Sequence, residues 1–135
     1  MNATPADDRE RPRPRVLIVE DEFVISLTLK LQLEAVGCEV VGTAADAETG
    51  VDLARALRPD VVLMDLGLPG KDGAEATRAI LAEIPTRVVL VTAYGDERVE
   101  KAMEAGACMV LTKPVVQEQL AKAIAEVTSR PIAGG

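Results

Sequence analysis

The chain has 135 residues, of which 48% are hydrophobic but only 1% aromatic, and its formal net charge is −7. This length suits a single domain that buries about two thirds of its unfolded surface. The scarcity of rings argues against a site that stacks flavin or single-stranded nucleic acid, and the negative charge argues against direct nucleic acid binding. The chain contains no histidine, which excludes histidine triads, the usual zinc sites and a phosphohistidine donor.

The cysteines and the first residues of the chain indicate where in the cell the protein is found. Cys38 and Cys108 lie in separate predicted elements without metal-ligand spacing, which favours thiols in a reducing compartment over a disulfide. No apolar run approaches the length of a membrane span, and residues 1–15 are charged rather than signal-like. We therefore expect a cytoplasmic protein with no membrane association.

Short apolar runs alternate with amphipathic segments along the chain. Uninterrupted apolar runs are typical of parallel strands that helices cover on both faces. Residues 1–14 are expected to be a disordered lead and 129–135 a frayed tail, which leaves 15–128 as the domain. The predicted strands are 16–19, 39–43, 61–65, 87–91 and 107–111. The predicted helices are 23–36, 47–57, 73–83, 97–106 and 117–128.

The spacing of apolar and acidic residues gives the helices a face and a beginning. In the first helix Phe23, Leu27 and Leu31 recur every four residues, and we expect them to pack inward. Acids stand just before three later helices, where a carboxylate can accept hydrogen bonds from the first free amides. These expected caps are Asp46, Asp72 and Asp96.

The alternation of strands and helices predicts an α/β domain with a doubly wound, five-stranded parallel sheet and five helices. The natural order is the flavodoxin-like 2-1-3-4-5, whose crevice lies beyond the ends of strands one and three. Glu20 and Asp21 follow strand one, and Asp65 ends strand three. Three carboxylates can share this edge if a hard cation such as Mg²⁺ compensates their charge. Alternatively, the first two are solvated acids at a helix start, and Asp65 caps a turn through Gly67.

Two further strand ends carry residues suited to phosphoryl chemistry. Thr92 ends strand four and Lys113 follows strand five, so a hydroxyl and an ammonium are expected at the same edge. Together they can bind phosphoryl oxygens while Asp65 acts as the nucleophile. Each residue alone is ordinary at a strand end or on a surface.

Four stretches of the chain resemble, in order, the landmarks of the response-regulator receiver domain of two-component systems, a CheY-like fold. The resemblance covers residues 15 to about 128. It implies that Asp65 accepts a phosphoryl group from a sensor histidine kinase or a histidine phosphotransfer protein, and that the change alters binding to a downstream protein target. The stretches are Val19-Glu20-Asp21, Met64–Gly73, Val91-Thr92-Ala93 and Leu111-Thr112-Lys113-Pro114.

The same resemblance implies roles for the neighbouring residues. Thr92 would move to bind the phosphoryl group, Lys113 would pair with it, and the bond from Lys113 to Pro114 would be cis. Such a domain is a phosphoacceptor that assists its own reaction and is not otherwise an enzyme. The implied Mg²⁺ ligands are Glu20, Asp21, Asp65 and the backbone carbonyl of Gly67.

One position departs from the receiver pattern. Receivers commonly carry a Tyr or Phe three residues before the site lysine, and this chain has Val110 there. Tyr94 is either a substitute for that ring or an exposed loop residue. A homodimer formed through the last helix is possible, but no uninterrupted apolar stripe on that helix requires one.

Three other functions compete with a phosphorylated receiver. A degenerate receiver would act as a docking module without phosphorylation. A haloacid-dehalogenase-like phosphatase needs a second Asp where this chain has Gly67, and a flavodoxin-like electron carrier needs aromatics that are absent. The sequence is compatible with both a stand-alone receiver and a piece of a longer chain.

Overall fold

A parallel sheet of five strands forms the centre of the computed structural model, which describes residues 13–69 and 72–129. The strand order is β2-β1-β3-β4-β5, as predicted. The strands are β1 (Arg15–Val19), β2 (Glu39–Ala44), β3 (Val61–Asp65), β4 (Arg87–Thr92) and β5 (Met109–Thr112). The helices are α1 (Phe23–Ala35), α2 (Ala47–Leu57), α3 (Gly73–Glu83), α4 (Arg98–Glu104) and α5 (Gln117–Ser129).

Helices cover both faces of the sheet, so β1, β3 and β4 are almost entirely buried. One apolar cluster lies under α2, α3 and α4, and the other lies under α1 and α5. Both clusters are aliphatic, because the single Phe and single Tyr, Phe23 and Tyr94, are 78% and 92% exposed and the chain has no Trp. The core is therefore built without rings.

The predicted inward face of α1 is wrong. Phe23, Leu27 and Leu31 are 78%, 44% and 57% exposed, and the helix buries Leu29 and Leu33 instead. Both sets recur every four residues, so α1 has two apolar faces and spacing cannot distinguish them. The outcome is an exposed apolar stripe on α1.

Two of the three predicted helix caps are confirmed. Oδ1 of Asp46 accepts from the Thr49 amide, and Oδ1 of Asp72 accepts from the Glu75 amide, both at 2.7 Å. The third is displaced by one residue: the N-cap position of α4 belongs to Glu97, but Oδ1 of Asp96 still accepts from the amide of Arg98, the first helical residue, at 2.9 Å. Asp96 lies outside the helix and has other partners, described below.

The ends of the described part of the chain differ slightly from the prediction. The carbonyl of Pro14 accepts a hydrogen bond from the Glu39 amide at 2.9 Å, and Ser129 belongs to α5. The remainder of the predicted lead and tail, residues 1–12 and 130–135, lies outside the described residues. Neither cysteine forms a disulfide, and none of the described helices has the length and apolarity that crossing a bilayer requires.

Candidate functional site

Three carboxylates meet where β1 and β3 end. Glu20 follows β1, and its amide donates to the carbonyl of Ala44 at 2.9 Å, which fixes the chain as it leaves the sheet. Asp65 is the last residue of β3, which is paired on both sides. One carboxylate oxygen from each of Glu20, Asp21 and Asp65 lies within 4.8 Å of the others. The predicted convergence of these acids is confirmed.

Two of the three acids are buried, so their negative charges need compensation. The side chains of Glu20 and Asp65 are 1% and 5% exposed, whereas Asp21 is exposed. Burial, together with the nearby charge of Asp65, raises the pKa of Glu20. One oxygen of Glu20, Oε2, accepts from the Glu22 amide at 3.1 Å. The other, Oε1, is buried and has no hydrogen bond.

Lys113 partly compensates this charge. Its Nζ lies 3.3 Å from Oε1 of Glu20 and 3.3 Å from Oδ1 of Asp65. Burial alone would lower the pKa of this lysine, but the two carboxylates outweigh burial and raise it. The Lys113 amide also donates to the carbonyl of Thr92 at 2.8 Å, and the bond to Pro114 is cis.

Thr92, buried at the end of β4, is the hydroxyl of the site. Its Oγ1 donates to Oδ2 of Asp96 at 2.7 Å. Arg98 binds the same carboxylate, from Nη2 to Oδ2 at 2.7 Å and from Nε to Oδ1 at 2.9 Å. This network was not predicted from the sequence, because Asp96 and Arg98 lie in a loop and at a helix start, where no periodicity signals a contact.

The other predicted site residues have defined places. The Gly67 amide donates to Oδ1 of Asp65 at 3.0 Å, so the expected turn contact exists beside the acidic cluster. Tyr94 projects outward and is 92% exposed. Val110 is half-buried and packs against the cluster under α2, α3 and α4.

A cavity of about 220 Å³ joins these groups. Its lining combines acids, which can hold a cation, with a hydroxyl, an ammonium and a guanidinium, which can bind phosphoryl oxygens. The lining residues are Asp21, Glu22, Asp65, Gly67, Thr92, Ala93, Asp96, Arg98 and Lys113.

A family model described as the response regulator receiver domain matches residues 16–125. The chain belongs to this family. It is a receiver domain of two-component signalling. The chain is 38% identical over 128 residues to the transcriptional regulatory protein PdtaR of Mycobacterium tuberculosis, with 93% of this chain and 62% of PdtaR covered. It is 42% identical over 113 residues to the transcriptional regulatory protein LiaR of Bacillus subtilis, with 82% and 54% covered. The receiver therefore spans between about half and two thirds of these relatives' length.

Solved structures agree with the fold. One match is the signal receiver domain of the putative response regulator NarL from Mycobacterium tuberculosis, with a TM-score of 0.82 and 31% identity. The match covers 89% of this chain and 100% of the NarL chain. The receiver fold predicted from the sequence is confirmed.

Proposed function

We propose that Asp65 accepts a phosphoryl group from the phosphohistidine of a sensor histidine kinase or histidine phosphotransfer protein, and that residues 15–128 then switch their binding to a downstream protein. The observation that carries this proposal is a buried carboxylate that lines the cavity, 3.3 Å from an ammonium and beside two further acids. A buried carboxylate that lines a cleft beside a specific charge partner is a candidate for a chemical role.

The transfer forms one bond to phosphorus and breaks another. A carboxylate oxygen of Asp65 attacks phosphorus and forms a P–O bond while the P–N bond to the donor's imidazole breaks. The imidazole, which carries a proton on its other ring nitrogen, leaves with the electron pair and therefore ends as a neutral ring. Lys113 stabilises the phosphoryl oxygens, and Thr92 supplies a hydroxyl to one of them once its bond to Asp96 is broken. We class the domain as a phosphoacceptor that assists its own reaction.

The acidic residues fit Mg²⁺. They offer the oxygen ligands that this ion prefers, and Oε1 of Glu20 is a buried oxygen that is paired with the Lys113 ammonium at 3.3 Å but accepts no well-aligned hydrogen bond. Glu20, Asp21, Asp65 and the carbonyl of Gly67 would hold the ion. Bound there, Mg²⁺ neutralises charge on the phosphoryl oxygens during transfer.

The exposed stripe of α1 supports docking of the phosphodonor. Phe23, Leu27 and Leu31 are exposed, and Phe23 directly follows the acidic loop 20–22. Exposed apolar surface that begins next to the acidic loop suits docking of a protein that must bring its phosphohistidine to Asp65. We place this exchange in the cytoplasm, in keeping with two cysteines that form no disulfide.

The output surface departs from the usual receiver. Val110 has no ring to turn inward, and Tyr94 already projects into solvent. We propose that Tyr94 contacts the downstream protein directly. Tyr94→Ala would then weaken partner binding and leave the lifetime of the phosphorylated state unchanged.

Intact mass after incubation with acetyl phosphate and Mg²⁺ tests the proposal. We expect one phosphoryl group on the wild-type chain, none on Asp65→Asn, and none when a chelator removes the metal. Asp60→Asn is a matched control, because Asp60 precedes the same strand at its opposite end and is exposed. No mass gain on the wild type would instead favour a docking module, and steady turnover of a phosphomonoester would favour a phosphatase.

A further inference from the structure

The hydroxyl that the proposed function needs at the phosphoryl group is already engaged. Oγ1 of Thr92 donates to Oδ2 of Asp96 at 2.7 Å. A hydroxyl has a single proton to donate, so Thr92 cannot also donate to a phosphoryl oxygen while this bond persists. The contact with Asp96 therefore opposes the phosphorylated arrangement.

Arg98 holds Asp96 in this position. Its amide and Nε donate to Oδ1 at 2.9 Å each, and its Nη2 donates to Oδ2 at 2.7 Å. Both oxygens of Asp96 are thus engaged. The hydrogen bonds from Arg98, and then the one from Thr92, keep the pKa of Asp96 well below its usual range, so the carboxylate stays charged.

Arg98 also faces the cavity where a phosphoryl group would be formed. It lines that cavity together with Asp65 and Lys113. Its side chain is about half exposed, which leaves the guanidinium room to turn. An aspartyl phosphate would place a charge of about −2 there, and a guanidinium binds phosphate oxygens through two parallel hydrogen bonds. The phosphoryl group would compete with Asp96 for both of its partners.

We propose that Thr92, Asp96 and Arg98 form a latch that phosphorylation of Asp65 opens. Arg98 turns from Asp96 to the phosphoryl oxygens, and Thr92 is released to bind another of them. Arg98 is then a further phosphoryl-binding residue, and Asp96 is a positioning residue that favours the resting state. The latch rests on the proposed function.

Binding of beryllofluoride with Mg²⁺, a non-covalent mimic of the phosphoryl group, tests the latch. Fluorescence of Tyr94 reports the binding, because this chain has one Tyr and no Trp and Tyr94 lies between Thr92 and Asp96. Asp96→Ala removes one competing hydrogen bond, so we expect beryllofluoride affinity to rise about three- to tenfold. Glu97→Ala removes the same charge one residue away, where the side chain is exposed and makes no capping bond, and should change affinity less than twofold.

The role of Arg98 is tested in the Asp96→Ala background, where the latch is already broken. Adding Arg98→Ala there should lower beryllofluoride affinity about three- to tenfold relative to Asp96→Ala alone. Equal affinities of these two variants would overturn the role of Arg98. Equal affinities of Asp96→Ala and Glu97→Ala would overturn the role of Asp96.

Further measurements distinguish the latch from a role in loop stability and from the proposed function. If Asp96 only stabilised the loop, replacing it would lower both the melting temperature and the affinity for beryllofluoride, whereas the latch predicts that this affinity rises. Asp96→Asn keeps the shape of the side chain and should act in the same direction if the alanine variant fails to fold. Phosphorylation of the wild-type chain with unchanged affinities in all variants would reject the latch alone. A wild-type chain that binds no beryllofluoride and gains no mass would reject both.

Discussion

Lys113→Met should destabilise the metal-free domain strongly. The substitution keeps an unbranched side chain that is one atom shorter and removes an ammonium that lies 3.3 Å from both Glu20 and Asp65. At an effective dielectric constant of about 20, each attraction is worth about 5 kcal/mol before desolvation is counted. Desolvation of the ammonium offsets part of this, and breaking a buried pair costs about 3–5 kcal/mol in practice.

Proton uptake limits how much free energy of unfolding each unpaired carboxylate can cost. Protonating a glutamate with an ordinary pKa costs roughly 4 kcal/mol at neutral pH, so an unpaired carboxylate takes up a proton rather than bear a larger cost. We therefore expect Lys113→Met to lose about 3 kcal/mol of unfolding free energy in chelator. Because Mg²⁺ would supply the missing positive charge, millimolar Mg²⁺ should restore most of this loss.

The pH dependence of this loss follows from the sign of the shift. The pKa of Glu20 is already raised in the folded protein, and removing Lys113 takes away an attraction that lowers it. A carboxyl with a raised folded pKa favours the folded state at low pH, and this contribution is lost as pH rises through the folded pKa. The deficit of Lys113→Met should therefore be largest at neutral pH and should shrink toward about pH 4.

Urea unfolding followed by circular dichroism measures this prediction. Lys122→Met, at an exposed position of α5, is the matched control and should stay within about 0.5 kcal/mol of the wild type. Equal unfolding free energies of the two variants in chelator, or a deficit that Mg²⁺ leaves unchanged, would refute the electrostatic account of the site.

Three further predictions concern the core, the turns and the loop after β4. Leu33→Ala should lower the free energy of unfolding by about 3 kcal/mol, because Leu33 is fully buried. Leu31→Ala should change it by less than about 0.5 kcal/mol, because Leu31 is exposed. Equal losses would mean that Leu31 also packs against the sheet, as the spacing predicted. Gly106→Ala should cost more than Gly37→Ala in thermal unfolding, because both have positive φ but only at Gly106 would a Cβ meet a leucine side chain, at 2.6 Å. Asp96 has a lowered pKa, so its stabilisation is present above about pH 4 and lost at lower pH; the stability gap between wild type and Asp96→Asn should narrow under acid, and a constant gap would contradict this.

The sheet and the acidic cluster were predictable from sequence because both depend on strand order. Once β1 and β3 are neighbours in a parallel sheet, Glu20 and Asp65 must end at the same edge. The same logic brings Thr92 beside Lys113, since β4 and β5 are also neighbours. These placements need no knowledge of side-chain conformation.

Features that depend on how a side chain or a helix is oriented could not be predicted from the spacing of residues. The residues Leu29 and Leu33 have the same periodicity as Leu27 and Leu31, so the buried face of α1 is decided by how the helix is oriented on the sheet. Likewise, an Asp before a helix suggests a cap, but spacing does not show that the carboxylate of Asp96 also accepts from Thr92. Both outcomes depend on side-chain orientation, which tertiary packing decides.

A core without rings has a spectroscopic consequence. Phe23 and Tyr94 are both on the surface, so the buried leucine, valine and isoleucine methyls of this receiver experience almost no ring-current field. Their proton resonances should crowd near the positions of short peptides even when the fold is intact. Backbone amides, which the sheet hydrogen bonds spread apart, are therefore the sensible nuclei for following ligand titrations of this domain.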